Sequence, residues 1–254
     1  MRLHILELGR CDVDVGAVLT PGVGDGVRAK IPIPSYLLEL DDGRRVVVDT
    51  GMHPAHIDDP DHTFRGRPYA DILTPKMGRD DLIEHRLSEL GLGLGDVTHV
   101  VNTHFHFDHC GQNYLFGGRP ILVHKGHYEA ALTLPAFPNE NFDLPHLSYQ
   151  LFEGDAVELF PGVTAFTTHG HAPYHQSLLI ELPQSGPILL AVDAIYTRAN
   201  LERGAWGSQA DPVAAKAGGE RLAAIARERG ALLVFGHDPQ QWNELRRAPQ
   251  GFYD

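Results

Sequence analysis

The chain has 254 residues, 43% hydrophobic and 21% charged, the composition of a globular protein long enough to bury a real core. A formal charge of −12 argues against a nucleic-acid or anionic-membrane surface, and no apolar run approaches the ~20 residues needed to span a bilayer. Two cysteines, Cys11 and Cys110, supply no disulfide framework and read as small, buried, reduced side chains.

The opening MRLHILELGR carries His4 and Glu7 where a signal peptide needs an uninterrupted apolar stretch, so the cytoplasm is the expected compartment. Residues 3–8 read as a short strand. The segment 35–40 (SYLLEL), the turn Asp41-Asp42-Gly43 and the segment 44–48 (RRVVV) predict a hairpin with a three-residue glycine loop. Residues 53–77, rich in Pro, His, Asp and Gly, read as a long loop, which is uncommon unless functional. A helix is expected over 80–90, with Leu82, Ile83, Leu87 and Leu90 on one face and Gly91 as the stop. Buried strands are expected at 97–102 and 120–124, and a short helix at 128–132.

The second half opens with strands at 148–152, 163–168, 177–181 and 188–192. The Ala-rich segment 212–229 is the longest predicted helix, ended by Gly230, and 231–235 is a last strand. Each half is a run of strands with a helix near its end. No repeat or linker divides them, so the expected organisation is one domain over 1–254. Its class is α+β, an αββα sandwich of two facing sheets with helices outside.

Histidine is the unusual component, at 16 residues, and its placement is informative. THFHFDH sets His104, His106, Asp108 and His109 within six residues. In an extended loop, 104, 106 and 108 point one way and Phe105 and Phe107 the other, and His109 breaks the alternation toward a second metal. Burying these groups without a metal would leave several unpaired polar atoms at ~1–3 kcal/mol each. The alternative, a solvated polar loop, fits four potential ligands in six positions poorly. Three further candidates follow apolar strands: His171, Asp193 at the end of ILLAVD, and His237 in FGHD. His104, His106 and His171 then serve one ion and Asp108, His109 and His237 the other, with Asp193 bridging. Two divalent transition-metal ions are expected. Imidazole with carboxylate suits zinc first, with Fe, Co and Mn also compatible.

On these residues the sequence resembles the metallo-β-lactamase superfamily, whose HxHxDH signature is met by His104–His109. More narrowly it is similar to the N-acyl-homoserine lactonases, through GRCDVD, VVVDTGM, ILTPKM, HYEAAL, LPHLSYQLFEGD, HQSLLIE, DAIYT and FGHD, over nearly the whole chain. That resemblance implies a metallo-β-lactamase fold and a quorum-quenching hydrolase that opens a lactone ring. It implies that Tyr196 in DAIYT meets the lactone near the metals, against the alternative of a core tyrosine, and that Asp49 orients a ligand histidine. Asp108 is expected to pass a proton to the leaving ring oxygen. Phe64 and Phe107, with the stretch 136–147, are expected to line the acyl-chain pocket; core packing is the competing reading for both rings. The sequence departs from the family where TPGH and PGH usually stand. Here His169 precedes Gly170-His171, and Tyr174 replaces a glycine before His175. His171 is the aligned ligand, with His169 as the alternative, and His175 is expected to be a buried hydrogen-bonding neighbour. His99, His124, His127 and His146 read as structural or surface residues.

Other hydrolases on the same scaffold, acting on thioesters, phosphotriesters, aryl esters or β-lactams, would share every ligand. A di-iron oxidoreductase of this superfamily typically carries Glu where His106 stands, and a non-catalytic binding module would be expected to have lost ligands. The expected partner is a small lactone, with no nucleic acid and no membrane; a homodimer is left open.

Overall fold

Many strands of this chain are apolar on both faces, because each sheet is covered twice. The computed structural model describes residues 1–65, 69 and 71–254. In chain order the elements are β1 (Arg2–Asp14), α1 (Val15–Val18), β2 (Arg28–Glu39), β3 (Arg45–Val48), β4 (Leu73–Lys76), α2 (Ile83–Glu89), β5 (His99–Val101), β6 (Pro120–His124), α3 (Lys125–Ala131), α4 (Asn139–Phe142) and β7 (Ser148–Phe152). They are followed by β8 (Ala156–Phe160), β9 (Val163–Thr168), β10 (His175–Ile180), β11 (Ile188–Val192), α5 (Arg198–Arg203), α6 (Pro212–Arg229), β12 (Leu232–Phe235) and α7 (Pro239–Trp242). A seven-stranded sheet has the order β4-β1-β2-β3-β5-β6-β7, and a five-stranded sheet the order β12-β11-β10-β9-β8.

Alternate side chains of each strand go to opposite faces. Tyr36, Leu38, Val46 and Val48 meet Leu178, Ile180, Ile188 and Leu190 between the sheets. Leu37 and Val47 turn outward onto Ile83 and Leu87 of α2. Leu189 and Ala191 turn outward onto Ala215, Leu222 and Ala226 of α6. This is the αββα sandwich, and the covered outer faces explain the continuous apolar runs at 188–192 and 46–48. Helix α6 is bounded as its sequence indicates: Asp211 accepts from the amides of Val213 and Ala214, Pro212 opens the first turn, and Gly230 closes it at φ 62°.

Several boundaries differ from those expected. Strand β1 runs on to Asp14, through a register shift between Glu7 and Arg10, because β2 begins at Arg28 and gives it a partner along its whole length. The expected loop at 53–77 contains a 3₁₀ turn at Pro54–Ile57 and the strand β4, paired with β1. Residues 66–68 and 70 of that segment lie outside the described residues. Ala156–Phe160, for which no element was expected, is a strand through its pairing with β9. Among the described residues no helix is long and apolar enough to cross a membrane.

Candidate metal centre

Parallel pairing sets the site. β3, β5 and β6 run parallel in one sheet and β11 with β12 in the other, so each group ends on one edge. The segments leaving β3, β5, β9, β11 and β12 carry Asp49, the 104–109 cluster, His171, Asp193 and His237. Loops held by strand ends combine free backbone geometry with a rigid base. Two turns there adopt conformations that side chains rarely take: Asp49 has φ 58° and the β-branched Val192 has φ 50°. The Val192 distortion coincides with a register shift between β11 and β12 and precedes Asp193. Such strain, of order 1–3 kcal/mol each, persists only where packing over-determines it.

The seven candidates come together. His171 Nε2 lies 2.7 Å from His106 Nδ1 and 3.0 Å from His104 Nε2. Asp193 turns Oδ2 to this group, 3.3 Å from His171 Nε2 and 3.8 Å from His104 Nε2. Its other oxygen, Oδ1, lies 3.1 Å from His237 Nε2 and 3.4 Å from His109 Nε2. Asp108 Oδ2 is 3.6 Å from His109 Nε2 and 3.8 Å from His237 Nε2. Two groups could therefore each hold an ion, His104/His106/His171 with Asp193, and Asp108/His109/His237.

The donor set fits such ions. Three imidazole nitrogens converging within 3 Å cannot all be donors, and their lone pairs repel unless a cation lies among them. Among the described residues, His109 Nε2 and Asp193 Oδ1 are buried with no hydrogen-bond partner. Burial holds His104, His106 and His171 neutral: His104 and His171 lie well below the usual imidazole range, and His106 falls to about 3. At His109 and His237 burial also acts downward, yet Asp193 and Asp108 outweigh it and raise both. Burial raises Asp108, opposed by His109 and His237. The centre demands positive charge, which a divalent ion meets in place of protons.

Partners behind the ligands fix the rings. Asp49 Oδ2 accepts from His109 Nδ1 at 2.9 Å, and its carboxylate also takes the Thr103 amide and hydroxyl. The Pro32 carbonyl is 2.9 Å from His237 Nδ1. His171 Nδ1 has two neighbours, Gln209 Oε1 at 3.0 Å and the Tyr196 hydroxyl at 2.9 Å. His175 Nε2 accepts the Asp193 amide and Nδ1 bonds Thr168 Oγ1, so it braces the carboxylate from behind. His127 Nε2 accepts the Phe105 amide and pins the ligand loop. Gln209, Thr103 and the Pro32 carbonyl carry no motif and were not picked out in the sequence; spacing holds no trace of Gln209, which is 38 positions from its partner.

A cavity of about 610 Å³ opens onto the centre. His106, Asp108, His171, Asp193 and His237 form its polar end, with Tyr196 beside them. Phe64 and Phe107 both line it, with ring centroids 4.7 Å apart in an edge-to-face pair, and they also pack with Cys11, Ile31 and Met52. The stretch 136–147 contributes only Ala136, contrary to expectation. Phe142 is fully buried and stacks on Phe105, and Phe137 stacks on His106, so these rings support the ligand loop rather than the pocket. Val18 at the end of α1 and Leu19 after it, with Ile31 and Leu73, make the apolar wall instead. His169 is exposed and packs edge-on to Tyr174, away from the ligand cluster.

Residues 30–237 match the model of the Metallo-beta-lactamase superfamily, the class that two facing sheets and this histidine–carboxylate cluster define. The chain is 37% identical over 252 residues to N-acyl homoserine lactonase AiiA of Bacillus thuringiensis subsp. kurstaki, covering 98% of each chain. It is 32% identical over 265 residues to N-acyl homoserine lactonase AttM of Azorhizobium caulinodans, covering 100% of this chain and 99% of the relative. A solved N-acyl homoserine lactone hydrolase, with the product N-hexanoyl-L-homoserine bound at its catalytic metal center, superposes with a TM-score of 0.91 at 36% identity, covering 100% of this chain and 98% of that one. The chain belongs to the metallo-beta-lactamase superfamily and, within it, to the N-acyl homoserine lactonases.

Proposed function

We propose that this enzyme hydrolyses the lactone ring of N-acyl-homoserine lactones, using two zinc ions held by His104, His106 and His171 and by Asp108, His109 and His237, with Asp193 shared. The observation that carries this reading is the juxtaposition of the double ligand cluster with an apolar cavity large enough for an acyl chain. Bound ions would polarise the ester carbonyl and bring the pKa of a water toward ~7. The protein's own groups do the rest. Tyr196 stays protonated, since burial raises its hydroxyl well above the usual range and Asp193 and Asp108 add to this. It can therefore donate to the carbonyl oxygen as charge develops there. Asp108, at the polar end of the cavity, takes the proton that the attacking water releases and passes it to the leaving ring oxygen. Phe64, Phe107, Leu19 and Ile31 hold the acyl chain and exclude water from the polar end.

Elemental analysis combined with a substrate panel tests this. Purified enzyme should carry close to two ions per chain, lose activity when stripped, and hydrolyse acyl-homoserine lactones with far higher kcat/KM than penicillins, glutathione thioesters, aryl esters or phosphotriesters. One ion or none in fully active enzyme sinks the dinuclear reading. A thioester or phosphotriester that wins the comparison sinks the substrate reading alone.

A further inference from the structure

His171 Nε2 is the nitrogen that faces the cluster, so as a ligand the ring must be neutral with its proton on Nδ1. That N–H has two acceptors at nearly equal distance, the Gln209 carbonyl oxygen at 3.0 Å and the Tyr196 oxygen at 2.9 Å. Gln209 is buried, and its amide nitrogen donates to the Asp193 backbone carbonyl at 3.4 Å. The opposite amide orientation would set two donors, NH₂ and ring N–H, against each other. Gln209 thus touches the third imidazole of one group and the backbone of the shared carboxylate. Its own segment is tied down on both sides: the amide of Asp211 donates to the Gly170 carbonyl at 2.8 Å, and Ser208 Oγ donates to the Leu19 carbonyl at 3.2 Å.

We infer that Gln209 is a positioning residue that takes the His171 Nδ1 proton, so that the ligand ring stays oriented while Tyr196 turns its hydroxyl to the substrate. This rests on reading His171 as a ligand and Tyr196 as a donor. Tyr196 alone would have to serve both tasks through one oxygen. A carbonyl acceptor independent of the substrate separates them, and partners behind metal-bound histidines typically govern 10–100-fold in metal affinity.

The test titrates zinc out of the holoenzyme with a chromophoric chelator. Gln209→Leu should hold zinc ~10–100-fold more weakly, and Gln209→Glu, which keeps an acceptor of the same reach, should stay within a few-fold of wild type. Tyr196→Phe alone should retain wild-type affinity, but combined with Gln209→Leu it should lose more than the product of the single effects, since both acceptors are then gone. Wild-type affinity in Gln209→Leu, or equal loss in the Leu and Glu variants, overturns the assignment. Histidine ¹⁵N NMR of zinc-loaded Tyr196→Phe asks the same question with Gln209 intact, so a Leu variant that fails to fold does not block the answer. The slowly exchanging His171 Nδ1 proton should persist there, and its loss refutes the role. Full zinc content in His171→Ala would instead remove the ligand reading beneath it, and wild-type turnover in Tyr196→Phe would remove only the donor reading.

Discussion

Tyr196 and Asp108 line the same cavity, and their proposed roles separate by variant and by substrate. Tyr196→Phe keeps the ring and removes one donor, so metal content should hold. The kcat should fall by up to ~10²–10³, less if an ion shares the oxyanion charge. Asp108→Asn removes a ligand as well as the proposed acid, so occupancy of the second site and rate should fall together. A lactone with a better leaving group needs less protonation and should partly rescue Asp108→Asn while leaving Tyr196→Phe unrescued. Steady-state kinetics on the two lactones, with metal analysis of each variant, checks this; equal rescue would show that the roles are misassigned. The motif made these residues visible. Asp49 was visible too, through the resemblance, as a carboxylate that orients a ligand histidine, but which ring it holds was not: its partner His109 is 60 positions away.

At the scale of elements, the strand ends do the placing, and their tolerance is small. A Cβ at Gly236, between β12 and His237, would meet the Val192 carbonyl oxygen at 2.5 Å and Asp193 Oδ1 at 3.1 Å. The first contact is with backbone already strained at Val192, so neither neighbour can yield without moving the shared carboxylate. Gly236→Ala should therefore destabilise by ~1–3 kcal/mol and lower bound metal. Gly95→Ala is the control, with nothing within 4 Å of the added carbon and no positive φ. Denaturant melts with metal analysis on both variants measure the contrast, and loss of metal in neither would mean that this backbone contact does not hold the ligands. The helices were readable where their stops are local, as at Gly230. The strands β4 and β8 were not, because each is short and its strand character comes from a partner, β1 or β9, that its own few residues do not announce.

The whole molecule should register both metal and pH. Ions bind the folded state and not the dispersed ligands, so free zinc at a thousandfold excess over Kd adds ~4 kcal/mol. Stripped protein should therefore melt roughly 8–16 °C lower for a domain of this size, as calorimetry with and without chelator would show; an unchanged transition would deny any coupling between the centre and the fold. Acid should act through His127, far from the ligand positions in sequence. Burial depresses it to about 4, with the Pro173 carbonyl opposing, whereas an unfolded histidine titrates near ~6.5. The unfolded chain takes up the proton first, so this contribution is complete above about pH 6.5 and is lost as pH falls toward 4. The loss is of order 3 kcal/mol. Wild type should show that fall in denaturant melts between pH 7 and 4, and His127→Gln should show a shallower one.

Strict alternation stops at His106, where the His109 amide on the His106 carbonyl closes a turn and Phe107 lines the cavity with His106 and Asp108, but local chemistry was enough to read the candidate ligand types and the apolar strands that precede Asp193 and His237. Each of those signals lies within a few residues, where spacing and periodicity act. The division of seven candidate ligands into two groups about Asp193 has geometry only because β3–β5 and β11–β12 run parallel in two sheets that face each other. Tertiary structure alone decided that Phe142 and Phe137 buttress the ligand loop while Val18, Leu19 and Ile31 wall the cavity, since apolar side chains look alike until a neighbour is fixed. It alone set Gln209 against His171, because a hydrogen bond depends on where two atoms lie and leaves no period in the chain.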